Sequence, residues 1–331
     1  MEQVTQTKGV TPVPVRIGVD LGGTNIAVGL VDDGCNLLAK ASVPTRAGRP
    51  FGEIVDDMAG AVQDLVKEQG LSLHDCTGVG VGVPGTCDGN TGTVCFAPNL
   101  FWKNVPLRDA LHTRLGVPVH ISNDANCAAL GEQLAGAAKG YGSVICITLG
   151  TGVGGGIILD GRLFEGNRAM GAEVGHMVID PDGPLCGCGR HGCFETFASS
   201  TALIRQTREL MEREPDSGLE AFLKADGTVS GRTAFLAARA GNEAGARLVK
   251  QYVRYLGIGV TNLINVFMPE AVLIGGGISG EGEYLLTPLR RYVKEHVYGG
   301  NRAPEVAILK ATLGNDAGII GAALLGKQEE E

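Results

Sequence analysis

The sequence has no long hydrophobic run and no basic cluster, and these absences exclude whole classes of function. No apolar stretch reaches the roughly 18 residues that a membrane-spanning helix needs. Residues 1–14 are polar and contain prolines but no apolar signal-peptide core, so we expect a flexible leader on a cytoplasmic protein. The net charge is −8 and lysines and arginines are dispersed, so we expect neither nucleic acid nor a membrane as a partner.

The two commonest phosphate-binding motifs are also missing. No G-x-x-x-x-G-K-[ST] pattern occurs, which excludes a P-loop. The pattern G-x-G-x-x-G occurs twice, from Gly80 to Gly85 and from Gly150 to Gly155. Turn residues follow the first copy and a strand pattern follows the second, whereas a dinucleotide site needs a helix directly after the last glycine. We therefore expect no Rossmann site.

What the sequence does contain is a repeated strand–glycine turn–strand unit. The first unit is VRIGVDLGGTNIAVGLVDD (15–33) and the second is GSVICITLGTGVGGGIILDGRLF (142–164), which ends in a predicted hairpin at Asp160-Gly161. Helical spacing follows in GEIVDDMAGAVQDLVKEQG (52–70) and in LVKQYVRYLGIGVTNLINVF (248–267). Two such units, each opening an α/β segment, predict a duplicated fold.

The glycine turns of both units are candidate phosphate loops. In DLGGTN (Asp20–Asn25) and LGTGVGGG (149–156), glycines let successive backbone N–H groups converge on an anion, and a threonine adds a donor. Asp20 is placed to steer a hydrated Mg²⁺. Such paired loops resemble those of the actin-like ATPase superfamily, which has a ribonuclease H-like fold and binds nucleotide between two related domains. LIGGGIS (273–279) resembles the adenosine-side loop of that superfamily, and TLGNDAG (312–318) resembles the loop that accompanies it.

This resemblance implies a fold, a domain division and an ATP site. We expect an α/β protein with duplicated mixed sheets, a small domain over 15–122 joined by a C-terminal helix over 316–331, and a large domain over 123–315. The implied ATP-binding residues are Asp20, Gly22, Gly23, Thr24, Asn25, Gly150, Thr151, Gly152, Gly154, Gly155, Gly276, Gly277 and Asn315.

Three of the nine cysteines, Cys186, Cys188 and Cys193, lie within eight residues. A reducing cytoplasm disfavours disulfides, so the cluster predicts a metal site, and the six scattered cysteines are predicted to be small buried hydrophobes. Zinc binds four ligands in a tetrahedron, so one more is needed. His191 lies inside the turn, where its reach to a metal is cramped. His176 precedes the turn and would tie two segments together.

The segment EVGH…CGCGRHGCFE (173–195) resembles the signature of the ROK family of sugar kinases, E-x-G-H followed by C-x-C-G-x-x-G-C-x-E. The similarity runs from Ile17 to about Ala323 and is greatest to the ATP-dependent glucokinases. The resemblance implies structural zinc on His176, Cys186, Cys188 and Cys193 within a loop over 176–193. It also implies Mg²⁺ with ATP, glucose as substrate, and a homodimer or homotetramer.

The segment SNDANCAALGE places Asp124 between a strand and an Ala-rich helix. Locally, Asp124 could equally be a helix N-cap or a catalytic base. The match to the family's N-D-A-N implies the base, which we expect the helix N-terminus to keep ionised and weak. Position in the family motifs implies sugar contacts from Asn99, Asn123, Asp124, Glu173, His176 and Glu195.

Three alternatives are considered: another sugar, another phosphoryl donor and a regulatory protein. Kinases for N-acetylmannosamine, N-acetylglucosamine or fructose share nearly all these residues, and the phosphoryl donor could be polyphosphate as well as ATP. The family also contains sugar-sensing repressors with a helix-turn-helix ahead of the kinase-like body. About fifteen residues precede the first predicted strand, so we expect no DNA-binding domain here.

Overall fold

The computed structural model describes residues 14–327, so the predicted leader, apart from Pro14, and residues 328–331 of the predicted last helix lie outside it. The chain divides into two compact units. The first contains the described residues up to Ser122 and those from Ala322 onward, and the second is Asn123–Gly321. Within the described residues, no helix is long and apolar enough to cross a membrane.

The first unit is built on a mixed five-stranded sheet in the order β3-β2-β1-β4-β8. Its elements in chain order are β1 (Val15–Leu21), β2 (Asn25–Asp32), β3 (Leu37–Pro44), α1 (Phe51–Glu68), β4 (Cys76–Val83), β5 (Thr86–Asp88), β6 (Thr93–Ala97), β7 (Trp102–Val105), α2 (Leu107–Leu115) and β8 (Val119–Asn123). Strand β1 runs antiparallel to β2 and parallel to β4. Strands β5, β6 and β7 form a separate small sheet that the sequence patterns do not predict.

The second unit repeats this sheet in the order β11-β10-β9-β12-β13. Its elements are α3 (Asp124–Ala135), β9 (Val144–Leu149), β10 (Val153–Leu159), β11 (Arg162–Leu163), α4 (Glu195–Ala198), α5 (Ser200–Arg213), α6 (Thr233–Arg239), α7 (Glu243–Phe267), β12 (Ala271–Gly275), α8 (Glu283–His296), β13 (Ala307–Lys310) and α9 (Asp316–Ala323). Again three antiparallel strands precede two parallel ones. The predicted duplicated fold is confirmed.

The local sequence explains the elements that carry the two glycine turns. Strand β1 is buried along nearly its whole length, as expected for a central strand. The predicted hairpin joins β10 to β11, with φ of 52° at Asp160 and 78° at Gly161, the left-handed backbone that a type I′ turn requires.

The segment predicted as the last helix contains α9, and the boundary between the two units falls within this helix, between Gly321 and Ala322. A Cβ on Gly131 of α3 would collide with the carbonyl oxygen of Ala317, so the start of α9 packs closely on α3 in the second unit. A Cβ on Gly80 of β4 would collide with the carbonyl oxygen of Ala322, so its end packs on the first unit's sheet.

The six scattered cysteines differ in burial. Cys76, Cys87, Cys127 and Cys146 are buried, as predicted, whereas Cys35 and Cys95 are only half-buried. Burial raises the pKa of Cys76 to about 11 and that of Cys146 to about 12. Both thiols therefore stay protonated and apolar in character.

Candidate active site

The four predicted metal ligands lie together in the second unit. The ligating atoms of His176, Cys186, Cys188 and Cys193 are all within 4.8 Å of one another. Cys186 Sγ is 3.6 Å from His176 Nδ1, and Cys188 Sγ is 3.6 Å from Cys193 Sγ. Sulfur atoms bound tetrahedrally to one zinc ion lie about 3.8 Å apart, so the group fits the ion.

His191, the other candidate ligand, is not part of this group. Its Nδ1 donates a hydrogen bond to the carbonyl oxygen of Gly183 at 3.0 Å. The local sequence leaves both histidines open as the fourth ligand. In the structure, His176 is the histidine that lies beside the three cysteines.

The loop that carries the cysteines is shaped by its backbone. Cys193 forms a β-bridge with Val178, and Cys186 N–H donates to the Arg190 carbonyl at 2.8 Å. Gly192 has φ of 70°, and a Cβ there would collide with the carbonyl oxygen of Asp180. Glycine is therefore required one residue before the last cysteine.

Arg190 is a contributor to this site that the sequence patterns miss. Its guanidinium donates to the carbonyl oxygen of His176 at 2.6 Å. Hydrogen bonds from its backbone N–H and its side chain lower the pKa of Cys188 to about 6, whereas burial raises the pKa of Cys186 to about 12. Arg190 falls at a variable position of the signature, so only the fold reveals these contacts.

The E-x-G-H segment lies against β10. Its last three residues, Val174–His176, form a short 3₁₀ turn, and a Cβ on Gly175 would collide with the carbonyl oxygen of Val153. Glu173 is exposed and His176 is half-buried. One short segment thus supplies both a metal ligand and an exposed carboxylate.

Asp124 is the first residue of α3, and Asn123 is the N-cap. Asn123 Oδ1 accepts hydrogen bonds from the N–H groups of Ala125 and Asn126, at 2.9 Å and 3.3 Å. The interpretation of Asp124 as an ordinary N-cap is therefore wrong, because its neighbour has that role.

The pKa of Asp124 is raised, whereas the helix N-terminus alone would lower it. Burial raises the pKa of Asp124, and the hydrogen bonds at the helix start, including that from Ala125 N–H at 2.9 Å, oppose the rise without cancelling it. The negative charge of Glu173 raises the pKa further. The sequence shows the helix start but not the burial, and burial has the larger effect.

The first glycine turn joins β1 to β2 in the first unit. Thr45 is fully buried; its hydroxyl donates to the carbonyl oxygen of Gly22 at 2.6 Å, and its N–H donates to that of Thr24 at 2.8 Å. Gly23 and Thr24 are exposed, and Asn99, also exposed, lies beside Gly23. Thr45, distant in sequence, is the part of this loop that no local pattern predicts.

The second glycine turn, between β9 and β10, is fixed from its far side. Ser200 N–H, at the start of α5, donates to the carbonyl oxygen of Gly150 at 2.8 Å. Glu195 Oε2 accepts from Val153 N–H at 3.1 Å, while its Oε1 lies 3.6 Å from Cys186 Sγ. Glu195 therefore contacts both this turn and the cysteine cluster.

Packing explains two of the glycines assigned to this phosphate loop. Gly154 and Gly155 lie in β10 rather than in the turn. A Cβ on Gly154 would meet the hydroxyl of Thr148 at 2.6 Å, and one on Gly155 would collide with Val174. Their role toward a nucleotide stays a prediction.

The third glycine element follows β12 in the second unit. Gly276 has φ of 78°, and its carbonyl oxygen accepts from the Ser279 hydroxyl at 2.7 Å. Asn315 lies just before α9, in a segment whose Leu313 N–H donates to Glu132 at 2.7 Å. Gly276 and Asn315 thus each follow a parallel strand, β12 and β13, that pair with each other.

Comparison with known proteins gives consistent matches over nearly the whole chain. The ROK family model matches residues 16–329. Glucokinase from Streptomyces coelicolor is 41% identical over 319 residues, which is 96% of this chain and 98% of that protein.

Solved structures agree. A ROK family glucokinase from Streptomyces griseus, in complex with glucose and AMPPNP, has a TM-score of 0.78 and 40% identity, covering 95% of this chain and 99% of that one. ROK hexokinase from Thermus thermophilus has a TM-score of 0.79 and 36% identity, covering 96% and 100%.

Proposed function

The chain belongs to the ROK family, and we propose that it is an ATP-dependent glucokinase, which transfers the γ-phosphoryl group of ATP to the 6-hydroxyl of glucose. The observation that carries the proposal is the end-to-end similarity to glucokinases at about the same length, in a chain that retains an acid at Asp124. Phosphoryl transfer to a hydroxyl needs an acceptor for its proton and donors around the phosphoryl group. The chain supplies side chains for both.

Asp124 is the general base of this proposal. Its carboxylate accepts the proton of the 6-hydroxyl as the oxygen–phosphorus bond forms. Because burial raises its pKa, it is a stronger base than an exposed aspartate, and a catalytic pKa closer to the working pH is more efficient. Asn123 as N-cap leaves the neighbouring carboxylate available for this role.

Glucose offers several hydroxyls, each both donor and acceptor, so carboxylates and amides are suitable partners. We propose contacts to the sugar from Asn99, Asn123, Glu173, His176 and Glu195. Glu173 directly precedes the 3₁₀ turn that contains His176, and Glu195 lies two residues after a cluster cysteine. The metal loop is in this way part of the proposed sugar-binding wall.

Zinc is the metal that the donor set suits, with three thiolates and one imidazole. When bound, the ion holds the loop over 176–193 folded and thereby fixes the backbone of His176 and Glu195. Mg²⁺ accompanies ATP, and Asp20 is the acid proposed to orient it. The nucleotide-binding groups are proposed on Gly22–Asn25, Gly150–Gly155, Gly276–Gly277 and Asn315.

The rate of glucose phosphorylation should fall in acid at a pH above 3.8, the ordinary aspartate pKa. A base must be deprotonated to act, so activity is present above the pKa of Asp124 and is lost as the pH falls through it. Since burial raises that pKa, the loss begins at a higher pH than for an exposed aspartate. The test is kcat/KM for glucose against pH, which reports the pKa of the free enzyme, with circular dichroism as the control for folding. A midpoint at or below 3.8 contradicts the raised pKa.

A coupled ADP-release assay over a panel of sugars tests the proposed function. Glucose should give a kcat/KM at least about tenfold above N-acetylmannosamine, N-acetylglucosamine and fructose, the discrimination that one misfitting substituent gives. Polyphosphate in place of ATP tests the donor. A different preferred hexose, or sugar binding without ADP release, would refute the glucokinase assignment; the second outcome would indicate a sugar-sensing protein instead.

The proposal also includes a cytoplasmic location, where ATP is available and thiols stay reduced, and assembly into a homodimer or homotetramer. Light scattering on the purified protein measures the assembly state directly.

A further inference from the structure

Glu132 is a buried acid whose partners tie two separate segments of the second unit together. It lies in α3, eight positions after Asp124, and is 1% exposed. Its Oε1 accepts a hydrogen bond from Leu313 N–H at 2.7 Å. Its Oε2 accepts from Ala137 N–H at 2.9 Å and from the Thr312 hydroxyl at 3.3 Å. One carboxylate therefore joins the end of α3 to the segment that precedes α9.

The donors around Glu132 are neutral, which sets it apart from the other buried glutamate among the described residues. Glu281 forms ion pairs with Arg232 and Arg239. A buried carboxylate is costly unless donors match its lone pairs, and an apolar side chain could fill the same volume more cheaply. What Glu132 provides is therefore the fixed position of its partners.

Helices α3 and α9 pack closely against each other, which restricts the position of the segment before α9. A Cβ on Gly321 would collide with the carbonyl oxygen of Cys127, and Gly131 is in similar contact with Ala317. Such close packing leaves little room for one helix to shift against the other. Contacts with α3, the helix that begins at Asp124, therefore fix the position of the segment Thr312–Asn315.

We propose that Glu132 is a positioning residue that holds the segment Thr312–Asn315 in place for nucleotide binding. The inference rests on the proposed function, which assigns Asn315 to ATP. Replacing one carboxylate oxygen by an amide NH₂ turns a donor toward Leu313 or Ala137 N–H, which breaks that bond and releases the segment. The proposed sugar contacts at Glu173 and His176 belong to the segment that packs against β10, and we expect them to keep their places.

The Glu132→Gln variant should have a KM for ATP about tenfold above the parent, the scale of one lost hydrogen bond to a charged group, and a KM for glucose within about twofold. Glu270→Gln is the matched control. Glu270 also accepts hydrogen bonds from two backbone N–H groups, but these belong to Gly142 and Ser143, which are not part of the segment Thr312–Asn315. Both constants of the control should stay within about twofold of the parent.

A KM for ATP unchanged in Glu132→Gln while the melting temperature falls would show a structural role only and overturn the inference. An equal rise in both KM values would also overturn it. Should Glu132→Gln fail to fold, Thr312→Val removes only the hydroxyl donor and should raise the KM for ATP about threefold. Thr312→Ser retains the donor and should match the parent.

Calorimetric titration with MgADP separates this inference from the proposed function, because it needs no turnover. A parent that phosphorylates no sugar, yet binds MgADP more tightly than Glu132→Gln does, would refute the kinase and support the positioning role. Equal affinities in the parent and the variant would refute the positioning role whatever the activity.

Discussion

The Asp124→Asn variant should phosphorylate glucose at least about 100-fold more slowly than the parent, the low end for loss of a general base. Asparagine keeps the shape of the side chain and its acceptor for Ala125 N–H, and Asn123 still caps α3. The helix start is therefore preserved while the proton acceptor is removed. Turnover measured with saturating glucose and ATP should fall, and the KM for ATP should stay near that of the parent.

Asp109→Asn is the matched control for this experiment. Asp109 is also an aspartate in the first turn of a helix, α2, but its side chain is 76% exposed and it belongs to no proposed site. The control should retain the parent's turnover. An Asp124→Asn turnover within about threefold of the parent would reject Asp124 as the base.

The Cys193→Ser variant should lose nearly all bound zinc. Its rate of glucose phosphorylation should fall at least about tenfold, a loss that is common when a metal site is disturbed. A structural zinc site contributes on the order of 10 kcal/mol to holding its loop folded. Cys193 bridges Val178, two residues past His176, so its loss loosens the segment carrying the proposed sugar contacts. Zinc per chain, melting temperature and the KM for glucose measure the effect.

Cys87→Ser separates loss of metal from loss of a buried thiol. Cys87 is 1% exposed and Cys193 is fully buried, so each substitution places a hydroxyl where a thiol was shielded from water. The Cys87 variant should keep its zinc and its KM for glucose even where its melting temperature falls. A Cys193 variant that contains no zinc but keeps the parent's KM for glucose would show that the metal does not shape the sugar site.

Sequence patterns predict those elements that are determined by residues close together in the chain. The β1–turn–β2 unit, α1 and the Asp160-Gly161 hairpin follow from periodicity and from glycine at the turns. The cysteine spacing predicts a metal site in the same way. These features need only neighbours within a few residues, which is why they are visible in the sequence.

Features made by distant contacts could not be predicted. Thr45 and Gly22 are 23 positions apart, and Glu132 and Leu313 are 181 apart. The same limit applies to the raised pKa of Asp124, because its position at a helix start is visible in the sequence and its burial is not. Side-chain partners of this kind depend on how the sheets and helices pack.

One preparation of the purified protein, analysed for metal content and for product, tests the central claim most directly. We expect close to one zinc per chain, as one Cys₃His group per chain requires, in protein that converts glucose and ATP to glucose 6-phosphate and ADP. Undiminished phosphorylation of glucose by natively purified protein that contains no stoichiometric zinc would contradict the account.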